Sequence, residues 1–307
     1  MNRQDAVHPE DANAKIEESE QTALPEHAAA RPQRVRRRFL NPTVVIGGVI
    51  LAFWVLMALL TFLFPTLLPY TINDIDSGQV WKPPSAAHLM GTDDLGRDIY
   101  ARLMIGSQQM VILPVVSVSL AVALGTAIGL FTGYRGGWAD EIIMRGMDMM
   151  MAFPVIMLYL MIIVAVGASA LNVVLAVAIA TAPSVSRLAR GLVLDLRSRE
   201  FVAAARMRGE STTHILFREI LPNITGSILV DGLVRVGYAT FSIAALGFLG
   251  LGVPPPNPDW GRMTIEGRQA ILIAPTAALF PALAIASLVI AYNLLADGLT
   301  EAAQVEA

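Results

Sequence analysis

The chain has 307 residues, of which 55% are hydrophobic and 15% charged, with a net charge of −3 and no cysteine. Soluble domains average about 25% charged residues, so this composition excludes an ordinary soluble enzyme and predicts an all-α, polytopic membrane protein. Without cysteine there is no disulfide, no thiolate metal site and no cysteine nucleophile.

Residues 1–38 read as a disordered acidic tail followed by a basic segment, because the tail has too few apolar residues to bury. No apolar run follows Met1, so no signal peptide is expected at that point. Arg31, Arg34, Arg36, Arg37 and Arg38 precede a stretch from Phe39 to Asn73 that carries no charge. About 20 apolar residues span a bilayer, which predicts a first helix over Thr43 to Leu68. Arginine bias places its start in the cytoplasm, and the same arginines suit an anionic lipid surface.

On this parity residues 70–102 form an extracytoplasmic loop. Asp93, Asp94 and Asp98 crowd its second part. They lack the spacing and terminal Glu of a calcium loop, so a hydrogen-bonded turn and a helix cap are the better reading. Residues 103–134 hold the second helix. Gly136 and Gly137 supply a turn in the polar loop Tyr134 to Arg145, and its arginines agree with a cytoplasmic side.

The next charge-free stretch, Met149 to Ser186, is too long for one crossing at about 1.5 Å per residue. It predicts a two-helix hairpin turning near Gly167 to Ser169, with Pro154 and Pro183 as candidate kinks. The Met149-Met150-Met151 run reads as helix packing. A polar connector, 187–225, follows, and then a fifth helix from Gly226 to Leu251.

Asp231 and Arg235 lie four apart on one face of that helix. Two readings stay open: a proton relay or substrate contact, and the favoured one, a structural ion pair or an interfacial Asp with a snorkelling Arg. Pro254, Pro255 and Pro256 are expected to end the helix. The sixth helix falls within Ala274 to Ala296. The count is six transmembrane helices with both termini cytoplasmic, giving a six-helix transmembrane domain over 39–300 and a short cytoplasmic tail over 301–307.

The connector deserves more residues than a link between helices needs only if something grips it. Glu200 to Asn223 reads EFVAAARMRGESTTHILFREILPN, helix-forming and basic. Small residues followed by a glycine let another surface approach the backbone. This stretch resembles the cytoplasmic coupling loop of ABC-importer permeases, in which Glu-Ala-Ala is followed after three residues by Gly and further on by Ile-x-Leu-Pro. Ala204, Ala205, Gly209, Leu221 and Pro222 fill matching positions. Ala203 stands in place of the motif's glutamate and Glu219 in place of its isoleucine.

Three further stretches are similar to the C-type permease subunits of dipeptide, oligopeptide and nickel importers. They are HLMGTDDLGRDIYARLMIGSQQ (His88 to Gln109), GFLGLGVPPPNPDWGRM (Gly247 to Met263) and NLLADGL (Asn293 to Leu299). The resemblance covers roughly residues 35–300.

What the resemblance implies is a type I ABC-importer permease fold in a bacterial inner membrane. The chain would form the translocation path with a second, homologous permease subunit. It would couple to two ATPase subunits through the loop 200–222, with Glu200, Ala203, Ala204, Ala205, Arg208, Gly209, Leu221 and Pro222 as the ATPase-coupling residues. An extracytoplasmic binding protein would deliver a peptide or a related small solute. The other partner expected is membrane lipid, with no nucleic acid.

Read from the residues alone, the chain is no ATPase. Its lysines are Lys15 and Lys82, neither preceded by glycine, so there is no P-loop. No cofactor is expected on this chain, ATP and Mg belonging to the partner subunits. The four histidines, His8, His27, His88 and His214, form no close pair at metal-ligand spacing, and no metal is expected. All four also lie outside the apolar segments, and no G-x-S-x-G stretch occurs, which weighs against an intramembrane hydrolase. An ion-coupled secondary transporter using Asp231 and Arg235 is the alternative, although no internal repeat supports it.

Overall fold

The computed structural model describes residues 42–71 and 74–304. The tail and arginine run expected over 1–38, and residues 305–307, lie outside the described residues. Among the described residues the fold is helical, with no strand beyond an isolated bridge between Thr92 and Asp98.

Helix α1, Pro42–Leu63, stops where Pro65 begins a 3-10 turn. Its inward face carries the small or polar Gly47, Ala58 and Thr61 beside the large Trp54, whereas Val45, Ile46, Val49, Phe53 and Leu56 face outward. That polarity is inverted relative to a water-soluble helix, as lipid exposure requires. Trp54 Nε1 donates to Ser287 Oγ at 2.9 Å and meets Trp260 edge-on.

Helix α2, Ile99–Arg135, has 37 residues, a length of about 55 Å. It runs the full height of the bundle. Helix α5, Ala170–Leu196, packs along it, and the reason is a glycine ladder. A Cβ on Gly125, Gly129 or Gly133 would come within 2.6, 2.6 and 2.8 Å of Val185, Ala189 and Val193 respectively. Small residues four apart let two membrane helices touch backbone to side chain.

Between these two lie α3, Gly137–Met151, and α4, Val155–Val166, bent by 92° at a break that ends with Pro154. Helix α4 has 12 residues and reaches about 18 Å, short of the roughly 30 Å hydrocarbon layer. The third crossing is therefore made by the bent pair or not at all, and five other helices are long and apolar enough to cross alone. The hairpin turn stands where it was expected, with Gly167 ending α4 and Ser169 capping α5.

Pro154 stands at the bend between α3 and α4, and Pro183 sits buried inside α5, which continues through it. Two details correct the sequence reading. Met149 and Met151 are exposed on α3 and Met150 is half-buried, so within this chain the run packs only in part. Helix α5 also continues ten residues beyond Ser186, to Leu196. Its Arg187 and Arg190 pair with Asp148 and Asp140 of α3, the latter bidentate at 2.6 and 2.7 Å. Charge marks where an apolar span ends, not where a helix does.

Helix α6 is Glu200–Met207. Helix α7, Thr212–Phe248, follows almost at once and carries a π-helical turn over Ile215–Ile220. It ends before the prolines. Gly250, at φ +79°, takes the left-handed position, and Leu251 N–H donates back to Leu246 at 2.9 Å. This is a glycine C-cap, and Pro254 to Pro256 only follow it. Helix α8, Trp260–Arg268, and helix α9, Thr276–Gln304, complete the chain. The NLLADGL stretch lies within α9, which runs past Ala296.

Candidate functional site

The two ends of the bundle are built differently. At the start of α2, Asp98 caps the helix by accepting from Ala101 N–H at 2.7 Å and holds His88 Nδ1 at 2.9 Å. Asp93 accepts from the N–H groups of Leu95 and Arg97, each at 2.9 Å, and pairs with the side chains of Arg97 and Arg102. The acidic cluster is thus a turn and a cap, as its spacing suggested.

Glu266 of α8 approaches the same arginines, 3.9 Å from Arg97 and 3.6 Å from Arg102. Burial pushes its carboxyl above the usual range, and Arg102 opposes that shift. Trp260, fully buried, donates from Nε1 to Leu103 O at 2.9 Å. Asp259 caps α8 through Arg262 N–H and also accepts from Val253 N–H. Its burial raises the carboxyl as well, against the pull of those backbone donors.

The other end of α2 meets α6. Arg206 lies over the Tyr134 ring, 5.1 Å from its centroid. Arg197 Nη1 donates to Gly133 O at 2.9 Å. Val202 and Ala205 face inward and are fully buried with Ile215, Ile220, Ile224, Ala189 and Val193. Short as it is, α6 is therefore held by a core of its own.

Its C-terminus is a complete cap. Gly209 has φ +76°, its N–H donates to Arg206 O at 3.0 Å, and Glu210 N–H donates to Ala205 O at 3.2 Å. Only glycine takes this conformation without penalty. Among the described residues, leaving aside Gly209 and its immediate chain neighbours, no atom lies within 4 Å of where a Gly209 Cβ would stand, so the requirement is backbone geometry and the space outside it is open.

The residues singled out from the sequence divide between two faces. Glu200, Ala203, Arg208 and Gly209 are exposed, and Ala204 is half-buried. Ala205 points into the core, where nothing outside the chain reaches it. Leu221 and Pro222 open the α-helical part of α7, Leu221 against the core and Pro222 exposed at the helix start. Two residues that sequence reasoning passed over stand on the outer face. Met207 is 83% exposed at the tip of α6, and Arg206 stands beside it. The signal was there: an unbranched apolar residue between two arginines, on the polar side of a short helix.

His214 has acidic company after all, although no second histidine. Glu210, His214 and Glu219 bring one ligand atom each within 4.8 Å of the others. The π-turn accounts for this, since it sets residues five apart on one face. A cation already sits there: Arg208 reaches Glu210 at 2.7 Å and Glu219 at 3.5 Å. The cluster ties the cap of α6 to the first turns of α7.

In the middle of α7, Arg235 and Asp231 form a two-pronged pair at 2.5 and 3.1 Å, and Arg235 Nη1 donates to Ser184 Oγ of α5 at 2.5 Å.

Residues 125–304 match the family of binding-protein-dependent transport system inner membrane components, and residues 33–84 match the N-terminal transmembrane domain of oligopeptide transport permease C. Among curated relatives, the glutathione transport system permease protein GsiD of Pectobacterium atrosepticum is 42% identical over 87% of this chain and 88% of its own length. The GsiD protein of Escherichia coli O157:H7 is 40% identical over 88% of each chain. The dipeptide transport system permease protein DppC of Alkalihalophilus pseudofirmus is 38% identical over 85% of each.

Proposed function

The chain belongs to the family of binding-protein-dependent transport system inner membrane components, and we propose that within such a system it couples solute movement to ATPase subunits through the exposed face of α6. It is a permease subunit of a peptide or glutathione type of ABC importer, a protein of the inner membrane. The family is ordinarily not enzymatic. Nothing in the fold or the relatives supports ion coupling at Asp231.

The observation that carries the α6 assignment is its construction. A helix of eight residues has no independent stability in water. Here it is pinned by buried Val202 and Ala205, by Arg206 on Tyr134 and by a glycine cap, and then it turns Ala203, Met207 and Gly209 outward. A rigid lever with an uncovered apolar tip suits a partner's groove. Tyr134 lies in the last turn of α2, so force applied to α6 passes into the longest contact in the bundle, α2 against α5.

In this reading ATP is bound and hydrolysed on two partner subunits, with Mg, and closure of those subunits moves α6. A second permease completes the path, and an extracytoplasmic binding protein delivers the solute. Both termini and α6 then lie on the cytoplasmic side, in agreement with the arginine bias. ATP shifts the bundle only as far as α6 is held differently in the two states.

The test is purification of the tagged chain in mild detergent, from cells expressing its neighbours. A stoichiometric ATPase and a second permease are the expected companions. A chain that comes out alone under those conditions removes the coupling role.

A further inference from the structure

We infer that the Asp231–Arg235 pair, with Ser184, is the part of the translocation path that recognises a zwitterionic solute, one carrying an ammonium and a carboxylate. The inference rests on the importer reading above. Three observations lead to it.

The first is depth. Asp231 and Arg235 lie ten and fourteen residues into the segment that begins at Leu221, about 15 and 21 Å along the axis. The second is accessibility. The side chains of Asp231 and Arg235 remain 28% and 20% exposed in this chain, so the pair can be reached from outside it. Lipid is a costly neighbour for charge at that depth, so the open side of the pair faces water or protein.

The third is the company the pair keeps. Asn223, Ser227, Asp231, Arg235, Tyr238 and Ser242 recur at intervals of three or four residues, and each is exposed or half-exposed. At 3.6 residues per turn they fall on one arc of about 120°. Between Asn223 and Tyr238 no exposed large apolar residue falls on the arc, Leu229 lying outside it; beyond Tyr238 the exposed Phe241 shares it with Ser242. Half-buried Ser184, whose hydroxyl accepts from Arg235, extends the polar surface onto α5. A membrane helix that buries one face and lines another with hydroxyl, amide and ionic groups is built beside water.

The chemistry of recognition follows from the pairing. A solute with both charges can enter by exchange: its ammonium takes Asp231, its carboxylate takes the fork of Arg235, and no charge is left alone at membrane depth. A solute with one charge would strand the other partner, which is strongly unfavourable away from bulk water. The pair therefore selects by what it would leave unpaired, and the pair re-forms behind the departing solute.

The experiment uses the whole complex with its own partners. The chain has no cysteine, so Ser227→Cys, Ser242→Cys and Leu229→Cys each introduce a lone thiol. The first two are expected to react with a charged, water-soluble methanethiosulfonate while Leu229→Cys does not. No reaction at 227 and 242, or equal reaction at 229, overturns the path assignment.

In parallel, the double variant Asp231→Asn/Arg235→Gln, which leaves no lone charge, is assayed for uptake of labelled dialanine and glutathione. Its uptake should fall by about tenfold or more, while ATPase activity stimulated by the binding protein stays within about twofold. Unchanged uptake overturns the recognition role. So does a wild-type complex that hydrolyses ATP with its binding protein yet accumulates neither zwitterion. A wild-type complex with no ATP-dependent activity is a different failure, that of the importer reading itself.

Discussion

A Cβ placed on Gly247 would stand 2.0 Å from Oδ1 of Asp259. The carboxylate is seated against the end of α7: a Cβ on Gly252 would come within 2.2 Å of its other oxygen, and one on Gly261 within 2.0 Å of Ala244 O. Two glycines of one stretch, Gly247 and Gly252, are thus explained by a single buried cap, and Gly261 by the close approach of α8 to the α7 backbone. Gly247→Ala should push the Asp259 carboxylate out of its seat and free the start of α8, at a cost of about 2 to 3 kcal/mol. The expected outcome is a lower melting temperature in detergent and poor recovery of folded protein. A variant as stable as wild type would show that the seat is dispensable.

Met207 gives the opposite kind of prediction. Its side chain is almost wholly uncovered, so Met207→Glu should leave thermal stability of the isolated chain within about 0.5 kcal/mol of wild type. If α6 enters a partner's groove, the same change should cost about 2 kcal/mol or more of association. Co-purification of the ATPase should then fall by at least tenfold, roughly what that energy implies. Full recovery of the ATPase with Met207→Glu would place the contact elsewhere.

Gly209 separates geometry from contact. Gly209→Ala keeps open space around the new methyl but forces a left-handed backbone, costing about 1 to 2 kcal/mol. Gly209→Arg adds bulk to the same strain. Transport is expected to be reduced by the alanine and abolished by the arginine, both proteins remaining inserted. Equal loss in the two variants would indicate that the cap of α6, rather than the room beside it, is what transport needs.

The segments that crossed the membrane were legible because absence of charge and length are sequence-level quantities: α1, α2, α5, α7 and α9 all follow from them. The ends were not. Arg187 and Arg190 look like the end of a span, yet helix α5 continues to Leu196, since their charges are met by Asp148 and Asp140 some forty to fifty residues earlier in the chain. Pairing across that distance is a tertiary fact.

The α3–α4 bend was hidden for a related reason. Met149 continues the apolar stretch in composition, but it stands on the exposed side of α3. The coupling motif revealed where the site lies, not which face it shows. Ala203 and Ala205 are alike in sequence and opposite in orientation, because the core under α6 is supplied by Ile215, Ile220 and Ile224 from the next helix. The glycine ladder of α2 could have been found: Gly125, Gly129 and Gly133 are spaced four apart in a charge-free run, which is a recognised packing signal in membrane helices.

Glu266 makes stability depend on pH. Its carboxyl is raised above the ordinary 4.5, first by burial, with Arg102 and Arg97 opposing and Asp94 and Asp93 assisting. The folded protein thus holds this proton more tightly than the unfolded chain does. Stability from this group is complete below the ordinary value and is lost as pH rises through the raised one. Asp259 is raised by its own burial and acts in the same direction, above its ordinary 3.8. The melting temperature in detergent should therefore rise as the pH is lowered from neutral toward the ordinary carboxyl range, as these two raised carboxyls regain their protons before the unfolded chain does. Glu266→Gln cannot ionise and should flatten that slope, with its largest gain over wild type at the upper end. The test is a series of thermal unfolding curves for both proteins across that pH range. Parallel curves would mean that Arg97 and Arg102 hold Glu266 ionised throughout.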